Sequence, residues 1–141
     1  MDLSEAKQIL NKSGYLLEEY SVYKKEKIVK FSYLYCLLKS YKEVDMQMGA
    51  EYALQGNINF ILDGINIYIS HDSYDAPNGT NKSDTVFMIV LVDETYDSSR
   101  EKELDFNTLI STLEKGNLNK IKEIALEIKN DESLELYSED V

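Results

Sequence analysis

The chain holds no tryptophan and only one cysteine, one proline and one histidine among its 141 residues. Each scarcity excludes something. With Cys36 alone, no internal disulfide can form. With His71 as the only histidine, any Ser-His-Asp or Cys-His arrangement would have to use it. Long apolar runs are also lacking. The longest is "VFMIVLV", Val86 to Val92, far short of the ~20 residues that a spanning helix needs. The N-terminus "MDLSEAKQIL" has no basic stretch followed by an apolar one, so no export signal is visible. The expectation is a cytoplasmic protein, acting within a host cell, with no membrane partner.

Positive charge is the remaining shortage. Fifteen basic residues face 26 acidic ones, a net charge of −11. Residues 1–42 hold eight lysines and five acids, which leaves seven bases against 21 acids for the rest. Such a chain repels nucleic acid, whose phosphates need Lys or Arg to displace counterions. It attracts basic protein surfaces and steers them at long range in low salt. Acidity also serves plain solubility, so charge alone names no function.

What is present is enough for one domain, residues 1–141, since 43% of the residues are hydrophobic. "LSEAKQILNKSGY" reads as a helix with Ser4 as cap, Glu5 in the first turn and Gly14 as terminator. "KKEKIVKFSYLYCLLKSYKEV" reads as a second helix, with Ile28, Phe31, Leu34, Tyr35, Leu38 and Tyr41 recurring at helical spacing. Cys36 lies in its middle, where a buried thiol is the expectation.

Alternation follows. Val44, Met46, Met48, Ala50, Tyr52 and Leu54 are apolar at every second place, which predicts a half-buried strand. In "INFILDGINIYISHDSYD", Asp63-Gly64 separates two apolar runs and predicts a two-residue type I′ hairpin turn. Its register pairs Leu62 with Ile65, Phe60 with Ile67 and Ile58 with Ile69, all on one face. The other face then carries Asn57, Asn59, Ile61, Asn66, Tyr68 and Ser70. The turn before this hairpin is expected to be about three residues, "QGN".

"HDSYDAPNGTNKSD" reads as a long polar loop and Val86–Val92 as a central strand. "DETYDSSREKE" reads as a charged connector. "DFNTLISTLEKG" and "NLNKIKEIALEIKN" are two further helices. Residues 131–141 form an acidic tail, frayed or docked as a short segment. The sum is an α+β domain: an antiparallel sheet of about four strands, with N-terminal and C-terminal helices packed on one face.

The chemical motifs are thin. Ser70, Asp72, Ser73 and Asp75 crowd His71, but neighbours on a strand end point different ways, so no catalytic residue is assigned. Asp72, Asp75, Asn78, Asn81 and Asp84 surround Gly79, yet the spacing breaks the calcium-loop pattern, and no metal or other cofactor is expected. "GTNKS" lacks the Gly-Lys neighbours and the following helix that a phosphate loop requires. Glu51, Asp93 and Glu94 would be the carboxylates of a small carboxylate- or metal-dependent enzyme, the third-ranked reading.

The leading reading is a surface. Asp72, Tyr74 and Asp75 in the loop, with Asp93, Glu94, Tyr96 and Asp97 in the connector, mix carboxylates with tyrosines. Acid plus Tyr suits a groove built for phosphates and stacked bases. These seven are the candidate partner-binding residues.

The opening "SEAKQILNKSGYLLEE" resembles the beginnings of anti-CRISPR and related small proteins of phages and mobile elements in low-GC Gram-positive bacteria. The resemblance covers about the first 20 residues and carries over no functional residue. It implies a small, acidic, non-enzymatic inhibitor that blocks the channel of a basic nucleic-acid-handling protein, such as a CRISPR effector or a nuclease. An immunity or antitoxin protein neutralising a toxin is the alternative.

Overall fold

The computed structural model describes residues 3–12, 22–47, 56–71 and 85–138. Helix α1 spans Leu3–Lys12, with Glu5 in its first turn and Lys12 in its last, both favourable to the helix dipole. Its fully buried Ala6 and Leu10 pack toward α2, Val22–Lys39. The expected stripe of α2 is buried, from Ile28 through Leu38. So are Ser32, Tyr33, Cys36 and Leu37 between its members. From Phe31 to Leu38 the helix is buried all round, which places this half of it inside the domain rather than on its surface. It touches α1, the first strand and the third helix.

Five strands follow: β1 Val44–Met46, β2 Asn57–Leu62, β3 Ile65–His71, β4 Thr85–Asp93 and β5 Ser98–Asp105. They form one antiparallel sheet in the order β1-β2-β3-β4-β5. Helices α3, Phe106–Glu114, and α4, Leu118–Asn130, complete the described elements.

The Asp63-Gly64 hairpin has the predicted register, Leu62 with Ile65, Phe60 with Ile67 and Ile58 with Ile69. Asp63 and Gly64 have φ of 50° and 77°, as a type I′ turn requires. The six apolar side chains are buried, and Val86, Met88 and Val90 continue their face on β4.

Two expectations need correction. The sheet has five strands, and the fifth is the segment read as a charged connector. Its period-two pattern is one of charge: Arg100 and Lys102 point to the helix side and Glu101 and Glu103 away from it, through their pairing with Val90, Met88, Ile89 and Phe87. Charged edge strands resist sticking to other sheets, and that same charge hides the strand from a hydrophobicity pattern. The second correction is the register of β1. A "QGN" turn would set Ala50 opposite Leu62, whereas Leu62 pairs with Val44, six residues earlier. An even shift keeps the buried face unchanged, so alternation fixes the face without fixing the register. Positions 48–55 of the expected strand lie outside the described residues.

Helices α2, α3 and α4 cover the apolar face, and α1 packs on α2. α2 meets β1, α4 covers β4 and β5, and α3 touches both α2 and α4. Phe31 of α2 stacks on Phe106 of α3, with ring centroids 5.9 Å apart and planes at 19°. Burying a side chain of this size stabilises the fold by about 1.5–3 kcal/mol. Polar ties reinforce the seam. The Tyr41 hydroxyl donates to the Leu113 carbonyl at 2.5 Å, and the Tyr33 hydroxyl to Glu114 Oε2 at 3.2 Å. Asp105 caps α3 by accepting from the Thr108 amide at 3.0 Å, and Asn117 caps α4 through the Lys120 amide at 3.2 Å.

Residues 131–138 return to the sheet. Tyr137 exchanges two backbone hydrogen bonds of 2.8 Å with Ser99, which extends the β5 edge by one bridge.

Candidate interaction surface

The sheet face away from the helices is built by alternation. Successive strand residues point to opposite sides, so the register that buries Ile58, Phe60 and Met88 turns their neighbours outward. Two rows cross four strands. One runs Asn59, Tyr68, Ile89, Glu101, and the next runs Asn57, Ser70, Phe87, Glu103. At ~4.8 Å between strands, each row spans about 14 Å. Asp45 and Ile61 belong to the same face on the β1 side, and Leu91 and Ser99 on the β5 side.

This face is one-signed. Among the described residues, its strand positions include Asp45, Glu101 and Glu103 and no Lys or Arg. The basic residues of β5 lie on the opposite side. There Arg100 donates to the Lys129 carbonyl at 2.8 Å and to the Leu134 carbonyl at 3.4 Å, which caps the C-terminal end of α4.

The face is also rich in hydrogen-bond acceptors. The carboxamide oxygens of Asn57, Asn59 and Asn66 are buried and have no hydrogen-bond partner among the described residues. Leaving such an atom unpaired costs about 1–3 kcal/mol. Asn59 is the most enclosed of the three, with 6% of its surface accessible.

A groove of about 570 Å³ opens at the β5 side of this face. Tyr68, Ile89 and Leu91 line it from the sheet, Asp97 and Glu101 supply carboxylates, and Tyr137 contributes from the returning C-terminal segment. Glu135 accepts a hydrogen bond from the Tyr137 hydroxyl and pushes its pKa up, so the ring stays a neutral phenol.

The turn of residues 94–97 adjoins the groove through Asp97. Asp93 Oδ1 accepts from the Thr95 amide at 2.9 Å and shapes the turn, and Asp97 takes the left-handed conformation at φ 54°. Glu94, Tyr96 and Asp97 are exposed, Tyr96 at 56%. Four of the seven candidate residues, Asp93, Glu94, Tyr96 and Asp97, are therefore neighbours. Asp72, Tyr74 and Asp75 lie outside the described residues. The chain enters their loop from His71, which pairs with Val86 near the start of β4, whereas Asp93 is at its end. The two halves of the expected surface thus attach at opposite ends of a nine-residue strand, about 27 Å apart at the usual rise.

No group of three or more His, Cys, Asp or Glu residues among those described could hold a metal ion. Cys36 is buried in α2, and burial pushes its thiol pKa up, the reverse of an activated nucleophile. Glu51 is outside the described residues. No described helix is long and apolar enough to cross a membrane.

Sequence reasoning foresaw the outward Asn and Tyr residues and the acidic turn. Glu101 and the groove do not follow from the sequence, because β5 reads as a connector, nor does Tyr137, whose segment reads as an acidic tail. The alternating "REKE" of Arg100 to Glu103 was the available signal. Comparison with protein-family models, with curated proteins and with solved structures gives no match.

Proposed function

We propose that the chain is a small, non-enzymatic acidic inhibitor that binds a basic nucleic-acid-handling protein and occupies the channel which that protein keeps for nucleic acid. The observation that carries this reading is the charge segregation of the sheet. The outward strand positions carry carboxylates and no Lys or Arg among the described residues, and the adjoining turn offers Tyr96 beside Glu94 and Asp97. Carboxylates at strand spacing present negative charge in rows, as a phosphate backbone does, and aromatic rings offer the stacking surface of a base. The meeting of two opposite fields raises the rate of encounter and weakens with salt.

The test is co-purification with CRISPR effectors and nucleases of the host at increasing salt. A complex at low salt that dissociates steeply toward about 0.5 M supports the reading. Its absence with every such effector at low salt overturns it. Competition by the effector's own nucleic acid ligand, abolished in the D93N/E94Q/D97N triple variant, would place the contact at the turn.

A further inference from the structure

We propose that the groove beside β5 is a receptor for an arginine side chain presented by the basic partner. The inference rests on the acidic-inhibitor reading and names the chemistry of its contact.

The lining dictates the occupant. Glu101 and Asp97 are carboxylates, which accept hydrogen bonds and donate none once ionised. Tyr68 and Tyr137 provide rings, and Ile89 and Leu91 an apolar floor. The surface is thus supplied with acceptors and π faces and short of cations. A guanidinium is the complement: planar, always charged, five N–H donors and no acceptor, weakly hydrated and prone to stack on aromatic rings. Its aliphatic stem suits the Ile89 and Leu91 floor. An ammonium offers three donors and no plane to stack, so Lys satisfies fewer of these groups.

The other groove shows the contrast. It measures about 400 Å³ between β5 and α4, and Lys102 stands among Glu127 and Asp131 in its lining. Lys102 already offsets one of the two carboxylates there, and the lining holds no aromatic ring, so it is a poorer match for a guanidinium.

The experiment uses the full chain and a fluorescein-labelled peptide of alternating arginine and glycine, read by anisotropy at low salt. Citrulline and lysine counterparts serve as probes of charge and planarity. The arginine peptide should bind, the lysine peptide several-fold less tightly and the citrulline peptide not measurably. E101Q should weaken arginine binding about tenfold, as expected for a charge-assisted contact. D97N, which keeps a residue tolerant of left-handed φ, should weaken it in the same direction. E127Q carries the same charge change on the helix side and should leave binding unchanged. Amide shifts in NMR spectra of the labelled chain should centre on Ile89, Ser99 and Glu101.

Equal loss in E101Q and E127Q overturns the groove and reduces the effect to net charge. Equal binding of arginine and citrulline peptides, or shifts centred elsewhere, also overturn it. An effector complex that is unaffected by E101Q removes the groove and leaves the inhibitor reading. Arginine peptides bound at the groove without any effector complex remove that reading alone.

Discussion

Arg100 reaches from the edge strand to the last turn of α4, where its guanidinium donates to the Lys129 carbonyl at 2.8 Å. The end of a helix leaves its final carbonyls unpaired. Here a side chain from the sheet pairs one of them and the Leu134 carbonyl beyond it. Arg100→Ala should therefore destabilise the fold by about 1–3 kcal/mol. Urea denaturation should show a lower midpoint with an unchanged slope. Arg100→Lys should recover only part, since one ammonium does not reproduce the fork.

The bridge between Ser99 and Tyr137 protects a strand edge. The Ser99 amide is bonded to the Tyr137 carbonyl and should exchange slowly with solvent. Tyr137→Pro removes the reciprocal amide donor and should bring Ser99 exchange close to that of an open edge. Unchanged protection of Ser99 in this variant would contradict the bridge.

Acid should destabilise the protein through Asp63. Lys122 donates a hydrogen bond to its carboxylate and holds its pKa below the ordinary value. A carboxyl with a lowered folded pKa favours the native state when ionised. That contribution is complete above the usual carboxylate range, near pH 4, and is lost as pH falls through the folded value. Asp131, lowered by Ser133, acts in the same direction. Melting temperatures from about pH 7 to about pH 2 should fall less steeply in D63N/D131N than in the parent chain.

Cys36 should be unreactive in the native protein. It is 2% accessible and its thiol is held protonated by burial. A thiol-specific disulfide reagent should label it at once in urea and only slowly without it. Rapid labelling under native conditions would refute its placement inside α2.

Gly64 and Gly116 make a matched pair. Both have left-handed φ, 77° and 76°, and a methyl group added at either meets nothing within 4 Å. Alanine at each should cost about 1–2 kcal/mol from the backbone alone. The two losses should agree when measured by chemical denaturation.

The Asp63-Gly64 hairpin was legible because turn chemistry and apolar alternation agree there, and together they leave one register. The register of β1 was not legible because Val44 and Ala50 are both apolar at even positions, and nothing local prefers one as the partner of Leu62. β5 was missed because its two faces differ in charge sign, with Arg100 and Lys102 against Glu101 and Glu103, rather than in hydrophobicity. For α2, the stripe from Ile28 to Leu38 was visible. The burial of Ser32 and Cys36 between its members depends on how many elements surround the helix, which periodicity does not report. The groove was invisible for a related reason: Tyr68, Glu101 and Tyr137 are distant in the chain and meet only through strand pairing.

The strand order has a kinetic consequence. Every strand pairs with its neighbour in sequence, so the sheet is assembled from local contacts and asks for no long crossover. Topologies of this kind close small loops at modest entropic cost and fold faster than those needing distant pairing. During synthesis each strand finds its partner already formed just behind it. The helical layer is different. Tyr33 meets Glu114 across 81 residues, and this seam can close only after the whole sheet has emerged. Substitutions at the seam should thus chiefly hasten unfolding and leave the refolding rate nearly unchanged.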